Sequence, residues 1–255
     1  MGIRINNMEQ VVELTEVGEG IIQIKMQDKE SKNTFSQALT AGLMEAFNHV
    51  KNETKYKVVV LTGYDTYFAS GGTQDQLMKL TEGNSKFTDF DLYSLSLNCP
   101  IPVIAAMQGH GIGGGFAMGL FADFVILSQE SIYTTNFMNY GFTPGMGATY
   151  ILPKKMGIVL AEEMLLTAKK YRGEELQARG IPFPVLRRDK VMDYAYELAA
   201  TIAEKPRVSL VTLKDHLVGE MRQELPKIIE EEVKMHAITF AQPEVKDRIK
   251  TLFGN

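Results

Sequence analysis

The sequence predicts an α/β protein. Apolar runs of strand length alternate with helix-length patterns through the first two-thirds of the chain, and helical patterns dominate after about Ile158. Two of the apolar runs lead into small-residue, glycine-bearing turns that open helices. Apolar residues at 45% and charged residues at 23% are the proportions of a folded globular chain, and 255 residues suffice for a sizeable core.

Residues 11–14 and 21–26 flank Gly18 and Gly20 as the strands of a hairpin do. Ser36 then caps a helix whose apolar face collects Leu39, Leu43, Phe47 and Val50. Residues 57–62 form a buried strand closed by Gly63, and 68–73 form a small-residue turn into a helix over 74–80. Residues 82–91 read as a polar loop or short helix able to close over a site. The run 101–107 is almost uninterruptedly apolar, the pattern of a strand buried on both faces. It precedes Gly109-His110-Gly111-Ile112-Gly113-Gly114-Gly115, five glycines in seven residues, and helix formers follow from Phe116 to Phe121. Short strands are predicted at 124–127 and 132–133, an irregular passage around Gly141, Pro144, Gly145 and Gly147, and helices over 160–166 and 190–203. Pro206 starts a helix, Pro226 and Pro243 punctuate two more, and Ile229, Val233, His236 and Phe240 share a helical face. The expected division is a core over 1–203 and a helical region over 204–255.

A strand-to-helix turn leaves the first helical amides without acceptors, near the positive end of the helix dipole. The glycine stretch can therefore cradle a phosphate, hold an oxyanion, or only permit close packing. Gly109, Gly111 and Gly114 satisfy G-x-G-x-x-G, with Glu130 at the distance of a ribose-binding acid, which keeps a dinucleotide site in view. Against it, the span from Gly114 to Asp123 is short for the helix of a βαβ crossover. The second turn, Ala69-Ser70-Gly71-Gly72, favours the oxyanion reading, because two turns can each lend an amide to one oxygen. A net charge of -4 without a long basic run argues against nucleic acid. The four histidines and the single cysteine are dispersed, so neither a metal site nor an internal disulfide is expected, and Cys99 reads as a buried hydrophobe. No apolar run reaches the length of a membrane span and residues 1–20 lack a signal-peptide pattern, which points to the cytoplasm.

Four segments in order carry a resemblance to the crotonase (enoyl-CoA hydratase/isomerase) superfamily: Lys32 to Phe35, Phe68 to Gly72, Gly109 to Gly115 and Gly141 to Gly147. The resemblance implies a spiral of ββα turns with a C-terminal helical trimerisation region, and a homotrimer or hexamer. It implies an oxyanion hole for an acyl thioester built from the amides of Ser70 and Gly114, with Gly71 and Gly113 beside them. The two glutamates of the family's hydratases fall on Ala117 and Phe137, and neither residue can exchange protons with water, which disfavours hydration and isomerisation. A thioester-enolate hole without those bases suits decarboxylation, where the leaving carbon dioxide supplies the electron pair.

Within the superfamily the chain resembles the decarboxylases of polyketide β-branching cassettes of the bacillaene type, over residues 64–74, 136–149 and 209–217. That likeness implies conversion of 3-methylglutaconyl-carrier protein to 3-methylcrotonyl-carrier protein, with functional residues at Lys86 and His236. It implies no cofactor beyond the phosphopantetheine of an acyl carrier protein, and partners in a polyketide synthase assembly. Asn136 is a candidate pocket residue, and Lys32, Lys154 and Lys155 are candidates for contacting phosphopantetheine or the carrier surface. Two rivals are a hydratase or isomerase with replacement bases and a non-catalytic scaffold that binds carrier protein.

Overall fold

The computed structural model describes residues 11–83, 87–89 and 91–253. Strands β1 (Val12–Gly18) and β2 (Ile21–Met26) form the expected antiparallel hairpin. Helix α1 (Gln37–Asn52) begins at Ser36, whose Oγ accepts from Leu39 N at 3.1 Å, and Leu39, Leu43, Phe47 and Val50 are all buried.

Three successive turns of chain then follow one plan. The first is β3 (Val58–Thr62), β4 (Tyr67–Ala69) and α2 (Gln74–Thr81). After α3 (Leu95–Asn98) comes the second, β5 (Val103–Met107), β6 (His110–Ile112) and α4 (Gly114–Leu120). The third is β7 (Phe124–Ser128), β8 (Ile132–Thr134), a 3-10 turn at Asn136–Tyr140, α5 (Ala148–Met156) and α6 (Ile158–Thr167). Strand β9 (Tyr171–Arg172), α7 (Gly173–Ala178) and β10 (Val185–Leu186) close the two sheets. Each turn gives its first strand to a sheet ordered β1-β2-β3-β5-β7-β10 and its second to a sheet ordered β4-β6-β8-β9. The pairings β3/β5, β5/β7, β4/β6 and β6/β8 are parallel, so the chain advances one strand in each sheet per turn, which is the ββα spiral.

Both faces of the larger sheet are covered. Val58, Val60, Ile104, Ala106 and Ile126 pack against Val191, Ala195, Ala199 and Ile202 of α8 (Arg188–Ala203). Val59, Leu61, Val103, Ala105 and Leu127 face the main core with α1 and α4. Double-sided burial is why these strands read as unbroken apolar runs.

The tail departs from expectation at Pro226. Helix α9 runs from Arg207 to Thr239 without a break, 33 residues with Pro226 inside it, and only Pro243 starts a further helix, α10 (Pro243–Leu252). A proline in a helix interior costs about 3 kcal/mol, but Leu225, Ile229, Glu232 and His236 are buried along α9 and hold it on course. Upstream, Lys214 Nζ donates to Ser96 O at 2.9 Å, Ile101 O at 3.0 Å and Asp123 Oδ2 at 2.7 Å, and Asp123 Oδ2 also accepts from Val103 N at 2.7 Å. This buried cation fastens the start of α9 to the strand beginnings of β5 and β7. Among the described residues no helix is long and apolar enough to cross a membrane.

Candidate active site

The two glycine-bearing turns converge. Ala69 at the end of β4 lies against the first turn of α4 so closely that a Cβ on Gly115 would sit 2.3 Å from Ala69 O. A Cβ on Gly71 would lie 3.4 Å from Gly114 N. The strand that feeds the glycine turn is β6, within the glycine stretch itself, and not β5 as the sequence predicts.

The amides at this junction correct one expectation. Ser70 N donates to Asn33 O at 2.9 Å, and Ser70 Oγ donates to Lys32 O at 2.6 Å, so Ser70 has spent both donors within its own surroundings. The amides of Gly71, Gly72 and Gly114 have no acceptor among the described residues. The donor pair available to one oxygen is therefore Gly114 with Gly71 or Gly72. Asn33 fixes the turn, its Nδ2 donating to Met26 O at 3.1 Å and Phe68 O at 2.9 Å while its Oδ1 accepts from Asp28 N at 2.8 Å.

A largely apolar cavity opens on these amides. Gly71, Gly72, Gly113 and Gly114 form one wall, Asn136 and Phe137 another, and Tyr140, Phe142 and Phe240 a third. Phe142 stacks on Phe240 with centroids 4.4 Å apart. No carboxylate lines the cavity among the described residues, where the titratable lining groups are His236 and Tyr140. Phe137 is buried and faces this space, whereas Ala117 is fully buried deeper in α4 and does not line it. Lys32 is exposed and contributes only its carbonyl to the turn, and Lys86 lies outside the described residues.

His236 enters from α9. Its Nε2 is 2.8 Å from Thr143 O, and since a carbonyl only accepts, Nε2 carries the proton. Nδ1 is buried without a hydrogen-bond partner among the described residues. Phe87, Phe240 and Phe142 surround the ring at centroid distances of 4.9, 5.0 and 6.1 Å. Burial lowers its pKa to about 4, so the ring is neutral at pH 7. A Cβ on Gly145 would fall 2.6 Å from His236 Cε1, so only glycine there leaves room for the ring. Thr239, one turn on, accepts from Thr143 N through Oγ1 at 3.3 Å, so α9 grips the Thr143 backbone at both its carbonyl and its amide.

The remaining sequence-level candidates lie elsewhere. Lys154 pairs with Glu224 at 3.1 Å at the surface, Lys155 donates to Ala122 O at 2.9 Å and is partly buried, and neither lines the cavity. Glu130 accepts from Ser128 Oγ at 2.7 Å and from Arg188 N at 2.9 Å, outside the cavity, which removes the ribose-binding acid from the dinucleotide reading. Phe35, Gln76, Gly145, Met146 and Phe253 line the cavity without having been singled out as site residues from the sequence. Gln76 had a readable signal, since Thr73-Gln74-Asp75-Gln76 is a capping box; its amide also donates to Phe35 O at 2.7 Å.

The family model for enoyl-CoA hydratase/isomerase matches residues 16–253. The chain belongs to the enoyl-CoA hydratase/isomerase family. Within it, the chain is 64% identical to the bacillaene synthase decarboxylase PksI of Bacillus subtilis, over 96% of this chain and 98% of that one. A solved structure from a dehydratase/decarboxylase enzyme couple involved in polyketide β-branching superposes with a TM-score of 0.95 at 64% identity, covering 96% of this chain and 100% of its own. The ECH2 decarboxylase domain of CurF from Lyngbya majuscula superposes at 0.92 with 49% identity, covering 96% of this chain and 100% of that chain. A carnitinyl-CoA dehydratase of Salmonella paratyphi A is 27% identical over 82% of this chain and 80% of its own.

Proposed function

We propose that the protein decarboxylates a carboxylated α,β-unsaturated acyl thioester, converting 3-methylglutaconyl-carrier protein to 3-methylcrotonyl-carrier protein in polyketide β-branching. The observation that carries this reading is a pair of converging free amides in an apolar cavity whose described lining holds no carboxylate base.

In this reading the thioester oxygen accepts from Gly114 N and from Gly71 or Gly72 N. The bond from the γ-carbon to the carboxylate breaks, carbon dioxide leaves, and the electron pair spreads through the conjugated system onto the thioester oxygen as a dienolate. One proton taken up at carbon completes the product. An amide donor aimed at such an oxyanion lowers the barrier by about 3 kcal/mol, and the apolar walls strengthen the interaction by excluding water. Lys86 steadies the departing carboxylate and His236 supplies the proton. Burial alone holds His236 neutral, and a carboxylate brought beside the ring favours the imidazolium, so the proton arrives with the substrate.

The partners in this reading are a phosphopantetheinyl acyl carrier protein and its synthase, in the cytoplasm, with Lys32 and Asn136 at the thioester arm. Exposed Ile158, Val159 and Leu166 on α6 and Val208, Leu213 and Leu217 on α9 support a homotrimer or hexamer.

Incubation with 3-methylglutaconyl-carrier protein tests the proposal. The acyl group is expected to lose the mass of carbon dioxide, and Lys86→Ala and His236→Ala are each expected to slow that loss by more than about tenfold. An unchanged acyl mass would reject the reaction, and wild-type rates in both variants would reject the two assignments.

A further inference from the structure

The segment Gly145-Met146-Gly147 carries the chain from the cavity into α5. Met146 has φ 63° and Gly147 φ 69°. In that left-handed region a side chain crowds its own backbone and glycine does not. Glycine stands on both sides of Met146 for reasons of space: a Cβ on Gly147 would fall 2.7 Å from Phe121 Cζ, and one on Gly145 would fall 2.6 Å from His236 Cε1. At Met146 the backbone conformation favours glycine just as strongly, yet a long side chain is kept.

The position of that side chain accounts for it. Met146 is buried and lines the acyl cavity. Its Cγ lies 3.1 Å from the point a Cβ on Gly114 would occupy, and Phe35 Cε2 lies 3.1 Å from the same point. A thioether and a phenyl ring thus close on the residue whose free amide faces the cavity. Backbone strain held at such a place points to a task for the side chain.

We infer that Met146 is a specificity-determining residue, which with Phe35 sets how bulky an acyl group can lie beside Gly114. The inference rests on the reading above in taking Gly114 N as a donor to the thioester oxygen. A flat acyl group with a trigonal α-carbon passes between the two side chains, and a tetrahedral α-carbon bearing methyl groups meets the thioether.

Equilibrium binding of two thioesters that have no carboxylate to lose tests this: S-crotonyl-pantetheine, which is flat, and S-pivaloyl-pantetheine, which is fully branched at the α-carbon. Wild-type protein is expected to prefer the crotonyl thioester by about tenfold or more. Met146→Ala is expected to bring the two within about threefold by gaining affinity for the pivaloyl thioester, and Met146→Leu to keep the preference. Met146→Gly removes the side chain while relieving the backbone, and reports the same loss should the alanine variant not fold. Equal binding of the two thioesters by wild type, binding of neither, or an unchanged preference in both truncation variants would overturn the inference. Carbon dioxide loss from the carrier-bound substrate is a separate readout. If it fails while the binding preference follows Met146, the decarboxylase reading falls and the specificity assignment stands.

Discussion

His236 is held by contacts that the sequence shows only in part. The apolar stripe Ile229, Val233, His236 and Phe240 places the ring inside, and it is inside. Nothing in the spacing shows that Thr143 O accepts from Nε2 or that Nδ1 is left without a partner among the described residues. That environment makes stability depend on pH in a definite direction. The folded ring titrates at about 4 and an unperturbed histidine at 6.5, so as pH falls through that window the unfolded chain takes up a proton that the folded chain refuses. The His236 contribution is therefore intact above about pH 6.5 and is lost progressively toward pH 4, by at most about 3 kcal/mol. In His236→Gln, urea midpoints measured at pH 7 and pH 4.5 are expected to differ less than in wild type, and an equal difference would contradict the assignment. Ser70 shows the limit of residue-level reading. Family resemblance puts an oxyanion donor at that turn, but which of three consecutive amides is free depends on the Asn33 carbonyl, which the fold delivers from the loop before α1.

At the scale of elements, one long helix organises the cavity from the side opposite the glycine turns. Along α9, Glu232, His236 and Thr239 bind the backbone of the segment between the 3-10 turn and α5. Glu232 accepts from Gly147 N at 2.8 Å, Thr149 N at 3.0 Å and Thr149 Oγ1 at 2.6 Å, and so supplies the cap that α5 lacks in its own sequence. Burial pushes the Glu232 carboxyl up while these three donors pull it down. Glu232→Ala strands the buried amide of Gly147 and the part-buried amide of Thr149 and is expected to cost about 2–4 kcal/mol in urea denaturation, with Glu232→Gln milder; a loss under about 1 kcal/mol in the alanine variant would mean that water replaces the cap. The long helix was only partly legible. Pro206 and Pro243 mark its neighbourhood correctly, but Pro226 reads as a boundary because local propensity knows nothing of the tertiary contacts that carry the helix past it. The role of Glu232 is not legible for a related reason, since a glutamate on a helix next to other charged residues reads as solvated.

Over the whole molecule, five strands of the larger sheet were legible, β1 and β2 as a hairpin and β3, β5 and β7 as apolar runs buried on both faces, whereas the two-residue β10 and most strands of the smaller sheet were not. β4 and β6 are three residues each, too short for a period of two to show, and β6 lies within the glycine stretch. One tie between the helical tail and this spiral is the buried pair Lys214 and Asp123, with side chains 3% and 18% exposed. Lys214→Met leaves a carboxylate and two carbonyls without their cation and is expected to destabilise the protein by about 3–5 kcal/mol. The measurement is a global urea transition, and a variant as stable as wild type would show that this pair adds nothing to the hold on the tail. The cavity itself is closed by Phe35 from the approach to α1, by glycines from two turns of the spiral, and by Phe240 and Phe253 from the tail. Its parts are therefore scattered along almost the full polypeptide, and no fragment of the chain encloses an acyl group by itself. A split of the polypeptide anywhere between Phe35 and Phe253 would therefore leave each piece with only part of the pocket.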